Sequence, residues 1–248
     1  SEQIAAGRRV IAKRTGARRF IAYFQAYTNT YADPAYLDRL YREALVEPDV
    51  VGLSVGTRPD CVPDAVLDLL ARYQAEGFDV WLELGLQSSF DETLHKVNRG
   101  HDFAEYRRAV RAARLRGLRV CTHLILGLPG ETAWHNKTTL NRVLELGVEG
   151  LKFHPLHVVK GTGLANEWRR GEYQALTLPA YVHLAADLIE RAPPEIVFHR
   201  LTGTAPANLL LAPDWCAHKW MVLNALAEEL RTRGIRARHG EQRTGNET

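Results

Sequence analysis

The tightest constraint on this chain is a repeated alternation. Short apolar runs rich in β-branched and aromatic residues recur roughly every 30 to 45 residues, each followed by a stretch with helical periodicity. Arg19 to Phe24 reads as the first strand. Asp33 and Pro34 then supply a cap and a proline at the first helical position, and Tyr36, Leu37, Leu40, Tyr41, Ala44 and Leu45 form a helical stripe. Val50 to Val55, Val80 to Leu84, Leu118 to Leu126, Gly150 to Phe153 and Ile196 to His199 are further strands. Helices open at Pro63, at Asp102 and near Glu131, and stop at Gly77, Gly117 and Gly147. Others run near Leu164 to Arg170, Pro179 to Arg191 and Trp215 to Arg231. Strands apolar along their whole length are covered on both faces, and parallel strands need helical crossovers, so the pattern predicts an α/β parallel sheet. Six strands are too few for an eight-stranded barrel, which takes about 250 residues of strict alternation. The expected fold is a partial (βα)6-type TIM-like barrel.

A hydrophobic fraction of 46% is enough to bury such a core. A net charge of +3 is too small to argue for nucleic acid, although the basic residues crowd the two ends. Arg8, Arg9, Lys13, Arg14, Arg18 and Arg19 lie at one end, and Arg231, Arg233, Arg236, Arg238 and Arg243 at the other. The bland reading of both is a solvated face. No apolar run reaches the ~18 residues of a membrane span, and no secretory signal is visible. Three isolated cysteines, Cys61, Cys121 and Cys216, fit a reducing cytoplasm. The first residue is Ser and the chain opens in helix-like sequence, so the natural protein is expected to begin further upstream.

In parallel barrels chemistry sits at the carboxyl ends of the strands. Those ends carry Gln25, Tyr27 and Thr28; Arg58 and Asp60; Glu83, Gln87 and Ser88; His123, then Gly127 to Glu131; and His154 and His157, then Lys160 to Gly163. This rim suits a polar organic ligand. Gln87 and Arg99 pair a side-chain amide with a planar fork of donors, which fits the amine and carboxylate of an amino-acid-like ligand. Glu83, inside a strand, is placed to meet Lys152, as charge compensation or as part of a substrate pocket. Arg58 and Asp60 fit a turn salt bridge. His154 and His157 lack a helical spacing and a third ligand, so no metal site is assigned. Cys121 reads as a small core residue.

Seven segments, each at a strand end, resemble the radical S-adenosylmethionine (SAM) core: 23–28, 55–64, 82–87, 97–102, 123–131, 151–156 and 160–164. The pattern is similar to the YhcC/YtqA-like bacterial radical SAM proteins and to the radical SAM domain of the Elongator catalytic subunit. The resemblance implies that SAM is bound by Gln25, Tyr27 and Thr28 at its amino group. Gln87, Arg99 and His123 would meet its ribose and carboxylate, and Leu126, Gly127, Leu156 and His157 its adenine. It also implies a [4Fe–4S] cluster on three closely spaced cysteines, reduced by a donor such as flavodoxin or ferredoxin, and reductive cleavage of SAM to a 5′-deoxyadenosyl radical. Cys61, Cys121 and Cys216 stand 60 and 95 residues apart and match none of the three. The cluster cysteines are therefore expected upstream, and the chain as it stands is expected to be inactive alone.

The expected organisation is a core over 1–163, an extension over 164–234 that completes the barrel, and a polar tail over 235–248. The substrate is unknown. tRNA is a candidate from the Elongator resemblance, and Arg58, Glu83, Lys152, His154, His199 and Arg200 are candidate substrate contacts. Two other classes fit the same rim. One is a cluster-independent lyase using Glu83, Lys152 and His154 for acid–base work; the other is a non-catalytic protein that binds SAM or a nucleotide.

Overall fold

The computed structural model describes residues 2–25 and 28–235. In chain order it runs α1 (Glu2–Thr15), β1 (Phe20–Phe24), α2 (Pro34–Leu45), β2 (Val50–Thr57), α3 (Asp64–Ala75) and β3 (Asp79–Gln87). It continues with α4 (Asp91–Lys96), α5 (Phe103–Leu115), β4 (Arg119–Leu126), α6 (Ala133–Leu144), β5 (Gly150–Pro155) and β6 (Val158–Val159). The last elements are α7 (Gly163–Arg169), α8 (Leu178–Arg191), β7 (Val197–Arg200), β8 (Leu210–Ala212) and α9 (Lys219–Thr232).

The caps read from sequence form as side-chain chemistry requires. The Asp33 carboxylate accepts from the amides of Ala35 and Tyr36 at 2.9 and 3.3 Å, with Pro34 opening α2. Asp102 and Glu105 close a capping box at the start of α5, with the Glu105 amide 2.7 Å from the Asp102 carboxylate.

Two compact units result, one of Ser1–His154 with Pro194–Arg200, the other of Pro155–Pro193 with Leu201–Thr248. The first holds a six-stranded sheet in the order β1-β2-β3-β4-β5-β7, a curled parallel half-barrel. Chain order and sheet order agree, as successive βα crossovers produce. β3 is buried from Val80 to Leu86. Its alternation sends Val80, Leu82, Leu84 and Leu86 to one face and Trp81, Glu83, Gly85 and Gln87 to the other. All four members of the first set are fully buried, each worth about 1.5–3 kcal/mol relative to exposure. The second set lines the inside of the half-barrel.

The second unit packs Val158, Ala165, Tyr173 and Ala212 into a small core of its own. Here the structure departs from the sequence pattern. β6 and β8 pair as an antiparallel ribbon that no periodicity signalled, since two- and three-residue strands carry too few positions for a pattern. The single closing helix expected from Trp215 is instead a 3₁₀ turn, Asp214–Ala217, followed by α9. Trp215 is drawn into the core, where its indole N–H donates to the Leu176 carbonyl at 2.9 Å, and that contact wins over helical continuity. No helix among the described residues is long and apolar enough to cross a membrane.

Candidate functional site

Glu83 lies mid-strand on β3 with its side chain 1% exposed. A carboxylate that buried must be paired. Lys152 on β5 donates its ammonium to Oε2, and Nε2 of His123 on β4 lies 2.7 Å from the same oxygen. Ser54 on β2 donates to Oε1, and Nδ1 of His199 on β7 lies 3.6 Å from it. The Tyr23 ring on β1 covers the Lys152 ammonium, which sits 4.1 Å from the ring centroid. Each of the six strands thus supplies one member of a single layer. Burial pushes the Glu83 carboxyl up, but hydrogen bonds from His123, His199 and Lys152 outweigh it and hold the group far below the usual carboxylate range. Burial pulls the His123 imidazole below its ordinary value against the attraction of Glu83, so at neutral pH it donates Nε2–H to Glu83 and keeps a lone pair on Nδ1.

Toward the carboxyl ends of the strands, a cavity of about 420 Å³ opens. Gln25, Thr28, Arg58, Gln87, Arg99, His123, His154 and Arg200 all line it, with Tyr23, Gly56, Thr57 and Gly85. A larger hollow of about 1050 Å³ flanks α1 and β1, away from these strand ends. The mouth of the cavity is built on strain and on the lack of a side chain. Gln87 has φ 77°, left-handed and uncommon for a non-glycine residue, where the pairing of β3 with β4 shifts register. A Cβ on Gly85 would lie 2.6 Å from Arg99 Nη2 and 3.0 Å from Gln87 Nε2, so glycine is what lets these two side chains meet over the strand. Arg99 donates to the Gly85 carbonyl from Nη2 at 2.7 Å, and its Nε lies 3.1 Å from His101 Nε2. Arg58 forks onto Asp60 at 2.9 and 2.5 Å.

The sequence-derived residues therefore separate into groups. Eight line the cavity. Glu83, Lys152 and His199 join His123 in the layer formed around the Glu83 carboxylate. Leu126 is 1% exposed and shares the parity of Thr122, whose hydroxyl meets Tyr106 of α5 at 2.7 Å, so it belongs to the helix-facing side of β4. Neither it nor Gly127 lines the cavity. Leu156 packs on the core of the second unit, and His157 belongs to the same unit with its imidazole pulled down by burial. Tyr27 lies outside the described residues, as do Arg236, Arg238 and Arg243. Sequence reasoning did not single out Tyr23, Ser54 or His101. Only the strand register could have found Ser54, because β2 and β3 pair Ser54 with Trp81 and Gly56 with Glu83.

The cysteines do not fit an iron–sulfur cluster. Cys121 and Cys216 are buried, Cys61 is half-buried, and burial pushes all three thiols up, away from the thiolate a cluster needs. Glu83, Cys121 and His123 bring three ligating atoms within 4.8 Å of one another. The Lys152 ammonium already sits on the shared carboxylate, which argues against a cation there.

Two family descriptions match the chain: the Radical SAM superfamily over residues 2–143, and the Radical_SAM C-terminal domain over residues 148–232. Protein YhcC of Escherichia coli (strain K12) is 50% identical over 219 residues, covering 88% of this chain and 71% of YhcC. YtqA of Bacillus subtilis is 43% identical over 216 residues, covering 87% of this chain and 67% of YtqA. The structure of Elp3 from the archaeon Methanocaldococcus infernus, solved with an N-terminal deletion, superposes with a TM-score of 0.76 at 19% identity. That match covers 94% of this chain and 59% of the Elp3 chain, and it bears on the fold alone.

Proposed function

Because the chain belongs to the radical SAM superfamily, we propose that its strand-end cavity binds SAM as the core of a radical-generating enzyme. The observation that carries this reading is the Gln87–Arg99 pair held over Gly85. Arg99 offers a guanidinium fork to the methionyl carboxylate, and its remaining donors form no ion pair with an acid among the described residues. Gln87, Gln25 and Thr28 offer amide and hydroxyl groups to the amine and ribose, and the Nδ1 lone pair of His123 accepts from a ribose hydroxyl. The roles of Tyr27, Leu126, Gly127, Leu156 and His157 toward the cofactor rest on the family resemblance.

The chemistry this cofactor supplies when bound is hydrogen-atom abstraction following its reductive cleavage. The cluster that drives cleavage finds no ligand set among Cys61, Cys121 and Cys216, so no electron-transfer step is assigned to these residues. What this chain does is position the cofactor, shield it between strand ends and glycines, and hold the charges beneath it fixed. The partners that follow are an electron donor such as flavodoxin or ferredoxin and a substrate for which tRNA is one candidate. A lyase reading is disfavoured by the pairing of Glu83 with Lys152: both are buried and bound to each other, which leaves neither to exchange protons with a ligand.

Calorimetric titration of the chain with SAM tests this. Binding is expected, with Arg99→Ala weakening it tenfold or more, about 1.4 kcal/mol or above, while the far-ultraviolet dichroism stays native. A wild-type chain that binds no SAM, or an Arg99→Ala variant that binds it equally well, would overturn the assignment.

A further inference from the structure

The charges of the strand-end cavity do not balance. Arg58 is neutralised by the carboxylate fork of Asp60. Below it, Lys152 is neutralised by Glu83. Arg99 hydrogen-bonds the Gly85 carbonyl and His101 and forms no ion pair with a carboxylate among the described residues, although it shares the field of Asp60 with Arg58. Arg200 lines the same cavity at the end of β7 and forms no ion pair with a carboxylate among the described residues. No Asp or Glu is among the lining residues. The two uncompensated guanidiniums enter from different walls: Arg99 is pinned to the backbone of β3, and Arg200 grows from β7 at the far edge of the sheet. Arg200 shares the lining of this cavity with Tyr23 and His123.

A concave site that leaves two guanidiniums without counter-charges is built for two anionic groups. The amino-acid end of SAM brings one carboxylate, and Arg99 takes it. That leaves Arg200 for a group the cofactor does not carry. We propose that the substrate bears an oxyanion, a carboxylate or a phosphate, and that Arg200 is the residue that docks it. This inference rests on the reading of the cavity as a SAM site. It makes Arg200 a binding residue whose planar fork orients the substrate toward the cofactor, from the opposite wall to Arg99.

The test titrates the full chain with inorganic phosphate and, separately, with acetate, following ³¹P and methyl-proton line broadening with and without saturating SAM. In the wild type an anion site is expected to survive SAM saturation. Arg200→Gln is expected to weaken that site tenfold or more while leaving SAM affinity within twofold. Arg200→Lys, which keeps the charge and alters only the fork, retains binding in part and guards against a folding defect in the glutamine variant. Arg99→Gln is expected to lose SAM affinity and keep the SAM-resistant anion site. Whichever of phosphate and acetate binds more tightly identifies the kind of oxyanion. Complete displacement of the anions by SAM, or equal anion binding by wild type and Arg200→Gln, overturns the proposal. A wild type that binds no SAM overturns the cofactor reading instead, and the Arg200→Gln comparison in its absence still decides whether Arg200 holds an anion.

Discussion

Two regions on the inner face of one sheet, a few residues apart along the same strands, treat charge in opposite ways. Around Glu83 every charge is answered: the carboxylate receives Lys152, His123, Ser54 and His199, and the Tyr23 ring caps the ammonium. In the cavity toward the strand ends, Arg99 and Arg200 meet no carboxylate among the described residues. At the centre of the first region the Glu83 carboxylate and the Lys152 ammonium are buried, so an unanswered charge there would cost several kcal/mol. The second opens at the strand ends, and although burial pulls the Arg99 guanidinium below its ordinary value, it has no carboxylate partner among the described residues. The difference teaches where to look for function on this sheet, because a compensated buried charge holds strands together and an uncompensated concave one waits for a partner.

The largest expected effect breaks the closed region. Glu83→Gln strands the Lys152 ammonium in the core and is expected to cost about 3–5 kcal/mol in urea unfolding. Adding Lys152→Met should restore most of that loss, since no buried charge then remains. A single variant within about 1 kcal/mol of wild type would mean that the pair is not what holds this layer.

Acid should act next, on the same layer and on His101 at the mouth of the cavity. Glu83, His101 and His123 all have native pKa values below their ordinary ones, so the unfolded chain binds protons first. Their contributions are fully present above the unfolded values and are lost as pH falls, beginning near about 6.5 for the histidines and about 4.3 for the carboxylate. The slope is at most about 1.4 kcal/mol per pH unit for each proton. Urea midpoints measured from pH 7.5 to 5 should therefore decline, and His123→Gln should flatten the decline. A level profile would contradict the sign.

The smallest effect sharpens the contrast from the open side. Asp60→Ala removes the counter-charge of Arg58, which is 38% exposed, and should change stability by less than about 1 kcal/mol. It also places a third unanswered guanidinium in the cavity, so phosphate should bind a few-fold more tightly. Unchanged binding would mean that cavity charge does not govern anion affinity.

Much of this architecture was legible beforehand because its signals are local. Asp33, Asp102, Gly77 and Gly117 mark helix ends through their own capping and turn chemistry, and the apolar runs of β2 to β5 are long enough to read. β3 runs three residues past the expected Leu84 to Gln87, because the pairing with β4 continues through a register shift no local pattern encodes. The meeting of Glu83 with Lys152, as charge compensation or as part of a substrate pocket, was anticipated from their positions on the third and fifth strands. The other members of the layer were not, since β1, β2, β4 and β7 bring Tyr23, Ser54, His123 and His199 to it from 60, 29, 40 and 116 residues away.

The amino-acid sequence by itself determined the order of strands and helices, the parallel sheet they imply and the strand ends at which polar residues gather. Periodicity, caps and glycines act over a few residues, and a single chain displays them. Tertiary structure alone decided which charges are answered. Compensation depends on which strands become neighbours, on register, and on small gaps such as the one Gly85 leaves for Arg99 and Gln87. Those distances form only when the sheet curls, so the contrast between the Glu83 layer and the Arg99–Arg200 cavity belongs to the folded molecule.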